Sequence, residues 1–218
     1  MTVIINSSFE SNDEKRLNAF DLSTEIFHNG LRPGASRAAN RSSLALESTP
    51  GTDIYHDGME NLHRILKPLG WRMVPVDQQP RLVHPEGLVS FTISSGINVG
   101  SANMRTLRTR KKGPSTRNSL ATPHFSPTLY DDSDEEMAAR LAQAASEAPF
   151  YFLLCERVTQ AGNGLLLEFS EPAGMTEGGS VNAWKDRIAV PFLTLDGDLS
   201  VFHDPEDGEP IDVSVEPR

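Results

Sequence analysis

Between Glu86 and Asp131 the chain has no acidic residue. The stretch from Gly87 to Tyr130 carries Arg105, Arg108, Arg110, Lys111, Lys112 and Arg117, a formal charge of +6 in a chain of 218 residues whose net charge is −10. Everything outside it therefore sums to −16. From Ser95 to Thr128 hydrophobic periodicity disappears as well, and Gly, Ser, Thr, Asn and Pro dominate. A connection of that length without a periodic pattern is a functional loop or a linker. It divides the chain into two halves, 51–95 and 133–204, joined by a basic loop over 96–132.

Both halves follow one plan, a helix and then strands. In the first, Met59, Leu62, Ile65, Leu66 and Leu69 fall on one side of a 3.6-residue wheel. That spacing predicts a helix from Asp53 to Leu69, with Asp53 as N-cap and Gly70 just past the end. Three strand candidates follow, Trp71 to Val76, Arg81 to His84 and Leu88 to Ser94. Gln78-Gln79-Pro80 and Pro85-Glu86-Gly87 separate them at hairpin distances. In the second half an acidic run at 131–136 leads an Ala-rich segment to Ala148, a helix whose acids sit at the positive end of its dipole.

Phe150 to Val158 is apolar on both faces as far as Glu156, which predicts a central strand. Ala161-Gly162-Asn163-Gly164 turns the chain back into Leu165 to Phe169. A Gly-rich loop is expected over Glu171 to Ser180. Asp186 to Leu195 is a further strand, with Pro191 marking an edge or a bulge. Asp196-Gly197 then turns into Leu199 to Phe202.

Residues 1–50 are expected to form a loosely attached N-terminal segment. Val3-Ile4-Ile5 suits a strand, Asn18 to His28 a helix, and Gly30-Leu31-Arg32-Pro33-Gly34 a turn cluster. Residues 205–218 are an acidic tail. The expectation is a single α+β domain over 51–204, with small antiparallel sheets or meanders packed on two main helices and a long basic connecting loop.

Cys155 is the only cysteine, which excludes an internal disulfide partner and a cysteine zinc site. The longest apolar run, Phe150 to Cys155, is six residues, far short of the ~20 a membrane helix needs. Met1 to Phe9 has neither a basic start nor an apolar core of the kind a signal peptide shows. A cytoplasmic protein with no membrane partner is the expectation.

No catalytic signature is complete, so function is read from charge. Arg and Lys neutralise phosphates, and the small residues around them let backbone amides approach. Arg105, Arg108, Arg110, Lys111, Lys112 and Arg117 are therefore candidate contacts for a polyanion such as nucleic acid, or for an acidic partner protein. The competing reading is a solvated tether, or a loop docked on the acids at 131–136. Arg32, Arg37 and Arg41, in a second acid-free window, could extend the patch. Ser94-Ser95-Gly96-x-x-x-Gly100-Ser101 resembles a phosphate-cradling loop in composition, but it lacks the closing Gly-Lys-Ser/Thr.

The alternative is a metal-dependent hydrolase or nuclease using Mg2+ on Glu156, Glu168 and Asp186, with Lys185 nearby. In the hairpin Glu168 is expected opposite Glu156, giving a carboxylate pair, or opposite Arg157, giving an ion pair, and the ion pair is favoured. His56 and His63 are seven residues apart, too far to share one metal readily. A third reading is a structural subunit of a larger complex. No resident cofactor or metal is expected under the binding reading.

Overall fold

The computed structural model describes residues 7–103, 106–113, 116–117, 147–159 and 163–195. Its elements in order are α1 (Ser7–Asn18), α2 (Thr24–Ala39), α3 (Thr49–Leu66) with a 3-10 turn at Lys67–Leu69, then β1 (Arg72–Val76), β2 (Gln79–Val83), β3 (Ser90–Ile97), β4 (Arg108–Thr109), β5 (Phe150–Val158), β6 (Gly164–Met175) and β7 (Val181–Thr194). The fold is α+β, as expected. The expected strands at Val3-Ile4-Ile5 and Leu199 to Phe202, the helix between 131 and 146, and the acidic tail lie outside the described residues.

The two halves do not make separate meanders. They join in one seven-stranded sheet, in the order β1-β2-β3-β5-β6-β7, with β4 paired to the far end of β3. The junction is the parallel pair β3–β5, running from Ser90↔Phe150 to Ser95↔Cys155. The other pairings are antiparallel. β5 is a central strand because it is apolar on both sides. Tyr151, Leu153 and Cys155 face the helices, whereas Phe150, Phe152 and Leu154 face a second apolar cluster.

The main core joins Phe27, Leu31 and Ala35 of α2, Leu62 and Leu66 of α3, and Phe91, Leu153, Leu167 and Phe169 of the sheet. The first fifty residues, expected to attach loosely, thus supply fully buried Leu17, Phe27 and Leu31. The expected turn at Gly30–Gly34 is the middle of α2. Gly30 and Gly34 are one turn apart and face α3. A Cβ on Gly30 would stand 2.4 Å from Leu62 Cδ2, and one on Gly34 only 2.7 Å from the Asp53 carbonyl oxygen. The glycines are there for close helix packing, a role that resembles a turn signal when read locally.

α3 begins four residues before the expected cap, with Pro50 in its first turn, where a missing N–H costs nothing. Asp53 is therefore inside the helix, where Arg41 grips it with two 2.8 Å hydrogen bonds. At the other end Gly70, with φ +87°, closes the helix as expected.

β6 and β7 are longer than expected, so residues 171–175 are strand and the Gly-rich turn is confined to 176–180. Register shifts between Glu171 and Met175 mark bulges, which bend a ribbon and increase its twist. The far end of this ribbon reaches the segment after β3. The Val181 amide donates to Thr109 Oγ1 (3.0 Å), and Trp184 Nε1 donates to the Leu107 carbonyl (3.0 Å). Val99, Leu107 and Val181 then close over Phe150 and Phe152. The first part of the expected structureless loop is accordingly built. Its anchors are single residues, so no period announces them.

β7 lies at one end of the sheet, in line with Pro191. The outward backbone groups of its second half are covered by helix side chains. Asp13 accepts from the Ala189 amide (3.2 Å), and Arg16 donates to the Arg187 carbonyl (3.0 Å). His28 Nε2 donates to the Pro191 carbonyl (2.9 Å), and Arg32 donates to the Thr194 carbonyl (3.0 Å). No helix among the described residues is long and apolar enough to cross a membrane.

Candidate anion-binding groove

The parallel strands β3 and β5 end side by side, and the first turns of α3 pack across those ends. Between them is a groove of about 710 Å³. Arg110 and Lys112 enter it from the segment after β4, and Arg157 from the end of β5. Glu47 and Glu156 are its acidic members, so its cations outnumber its anions. Tyr55 and His56 form one wall, their rings 5.3 Å apart at 90°.

The ribbon tip holds the basic segment in this position. The Lys112 amide donates to the Gly179 carbonyl (2.9 Å), and Arg117 donates to the Glu177 carbonyl (3.1 Å). Gly179, at φ +89°, admits the close approach, since a Cβ there would lie 3.1 Å from the Lys112 carbonyl oxygen. Lys112 is half-buried, with its ammonium 5.7 Å from the centre of the Phe152 ring, and burial lowers its pKa to about 8.

The expected cationic contacts therefore separate into groups. Arg110 and Lys112 share the groove. Arg108 and Lys111 are exposed beside it in the chain. Arg117 is engaged with the ribbon tip, and Arg105 lies outside the described residues. None of Arg108, Arg110, Lys111, Lys112 or Arg157 has a carboxylate partner among the described residues. The N-terminal arginines do not extend the patch. Arg41 holds Asp53, Arg37 stands 3.2 Å from Asp57, and Arg32 caps β7.

The loop that resembled a phosphate cradle is occupied by the protein's own carboxylates. The Val99 amide donates to Glu156 (2.7 Å), and the Gly100 amide donates to Glu168 (3.1 Å). Positive φ at Asn98 and Gly100 turns those two amides inward.

Both expected registers for Glu168 are replaced by a third. The ladder begins with Val158 opposite Gly164, so Glu168 lies opposite Leu154, and Glu156 opposite Leu166. The ion pair forms instead across the other ladder. Arg187 of β7 grips Glu168 with two hydrogen bonds of 2.5 and 2.7 Å, and Ser170 Oγ adds a third (2.6 Å). Glu168 is 2% exposed. Asp186 is bound by Arg16, by the Tyr151 hydroxyl (3.2 Å) and by the Arg187 amide (2.9 Å). Burial, then the nearby Asp186 charge, pushes the Tyr151 hydroxyl pKa up. Lys185 pairs with Glu171 at 2.8 Å. Of these four residues only Glu156 reaches the groove. Among the described residues no group of three or more His, Cys, Asp or Glu side chains is placed to hold a metal ion.

Arg157, Tyr55 and His56 are the groove residues that charge clustering did not single out as anion contacts. They come from β5 and α3, far from the basic loop in sequence, and the topology brings them there. The signal available was local: Arg157 follows Glu156 near the end of a strand that is apolar up to Cys155. No family model, no curated sequence and no solved structure matches the chain.

Proposed function

We propose that the protein is an accessory binding module that takes the phosphate backbone of a nucleic acid at the groove formed by Arg110, Lys112 and Arg157. The observation that carries this reading is the convergence of three cations from two elements on one concavity, without carboxylate partners among the described residues. Fixed cations of this kind release condensed counterions when they meet phosphates. Arg108 and Lys111 extend the same field along the rim. The reading sets the protein in the cytoplasm and assigns it no metal.

Binding of labelled single-stranded and double-stranded oligonucleotides across a salt series tests it. Three phosphate contacts give a log–log salt slope of about −2 for a single strand. Arg110→Glu and Lys112→Glu, each with an unchanged melting temperature, are expected to weaken binding more than tenfold. Unaltered affinity in both variants would overturn the assignment. No binding at low salt would leave an acidic protein as the partner, and cleavage on adding magnesium would favour the hydrolase.

A further inference from the structure

Resting on the phosphate reading of the groove, we infer that its ligand is a single strand, one base of which enters the groove beside Tyr55 while the flanking phosphates meet Arg110, Lys112 and Arg157. Between Arg105 and Arg117 the basic cluster contains no aromatic residue. The fold supplies one from elsewhere, because α3 crosses the ends of β3 and β5 and brings Tyr55 and His56 to the same concavity as the cations.

Size selects the ligand first. A volume of about 710 Å³ lies within the range of roughly 300–1,000 Å³ that encloses one small-molecule-sized group. It admits a nucleotide and not the width of a duplex. Ring geometry comes next. Tyr55 is half-buried and packs against the main core, so its ring is held in place, and His56 stands edge-on to it. A held ring beside cations is the pairing that single-strand binders use, since every base has a face to stack and every linkage has a charge.

The polar wall completes the assignment. Gln79, half-buried at the start of β2, lines the groove with its amide oxygen accepting from Arg81 (3.4 Å), and Ser94 and Ser95 line it from β3. The NH2 of a carboxamide carries two donors, which suit an acceptor on the edge of a base. Cations alone would take any polyphosphate. Cations with a fixed ring and an amide distinguish a nucleotide from bare phosphate.

The test compares a labelled single-stranded oligonucleotide with an abasic strand of the same phosphate count, at one salt concentration. The base-bearing strand is expected to bind about tenfold more tightly. Tyr55→Leu keeps apolar packing and removes the ring, and His56→Ala changes an exposed residue. With melting temperatures unchanged, Tyr55→Leu is expected to abolish the difference between the strands and leave abasic binding as it was. Equal affinity for both strands, with Arg110→Glu still weakening both, would overturn the base pocket and leave the phosphate reading standing. Failure of both strands to bind at low salt would overturn the base pocket and the phosphate reading together.

Discussion

Burial lowers the Lys112 pKa to about 8, so its charge titrates in an experimentally convenient range. It shares the groove with Arg110, Arg157, His56, Glu47 and Glu156. The ammonium form, dominant below that value, attracts phosphate, and the neutral amine above it does not. Affinity for an oligonucleotide should therefore fall as pH rises from about 7 to about 9.5 at constant ionic strength. A guanidinium keeps its proton throughout, so Lys112→Arg should flatten the curve; a fall of the same size in the variant would show that another group titrates. The Glu168–Arg187 pair makes a different prediction at the same scale. Removing one partner of a buried pair costs about 3–5 kcal/mol, and the Glu168 charge left behind would keep only neutral donors, the Gly100 amide and the Ser170 hydroxyl. Arg187→Ala should lower the unfolding free energy by that order in urea titrations at neutral pH. The role of Arg187 was not legible in the sequence, because pairing Glu168 with the correct neighbour requires the register of two ladders at once, and the first of them starts from Val158 opposite Gly164.

Helices α2 and α3 show how the same residue type can mean opposite things. Gly34 packs against the backbone of α3, whereas a Cβ on Gly51 would meet nothing within 4 Å. Alanine is favoured over glycine in a helix by about 1 kcal/mol. Gly51→Ala should therefore stabilise the protein by up to that amount, as thermal unfolding would register. Gly34→Ala has the same propensity gain but must push the helices apart, with overpacking costs of about 1–3 kcal/mol. Its net effect should be destabilising, and a gain equal to that of Gly51→Ala would contradict the close packing of the helices. The wheel of Met59, Leu62 and Leu66 made α3 legible, because a long amphipathic period is a strong signal. Gly30-x-x-x-Gly34 was misread because glycine in a turn and glycine in a helix contact look alike until the facing helix is known. Strands β1, β2, β3 and β5 were legible to within a few residues. β6 and β7 were cut short because Pro172, Gly174 and the neighbouring bulges resemble loop composition.

Over the whole molecule, the α+β class was read from an expected helix-then-strand order in both halves, of which the helix of the second lies outside the described residues. What joins the halves did not follow, since a parallel pairing between β3 and β5 leaves no mark on either strand beyond an apolar run. The groove was half legible: the basic cluster pointed to Arg110 and Lys112, and the parallel junction determined which distant residues stand beside them. The covered edge at β7 bears on self-assembly. A sheet exposing two free edges can add copies without limit, as fibres do. Here Asp13, Arg16, His28 and Arg32 occupy the hydrogen-bonding positions along the second half of one end. Growth by strand addition there is terminated, as a capping monomer terminates a polymer. β1 is left as the other end of the strand order, and edge-to-edge joining of copies through it alone stops at two.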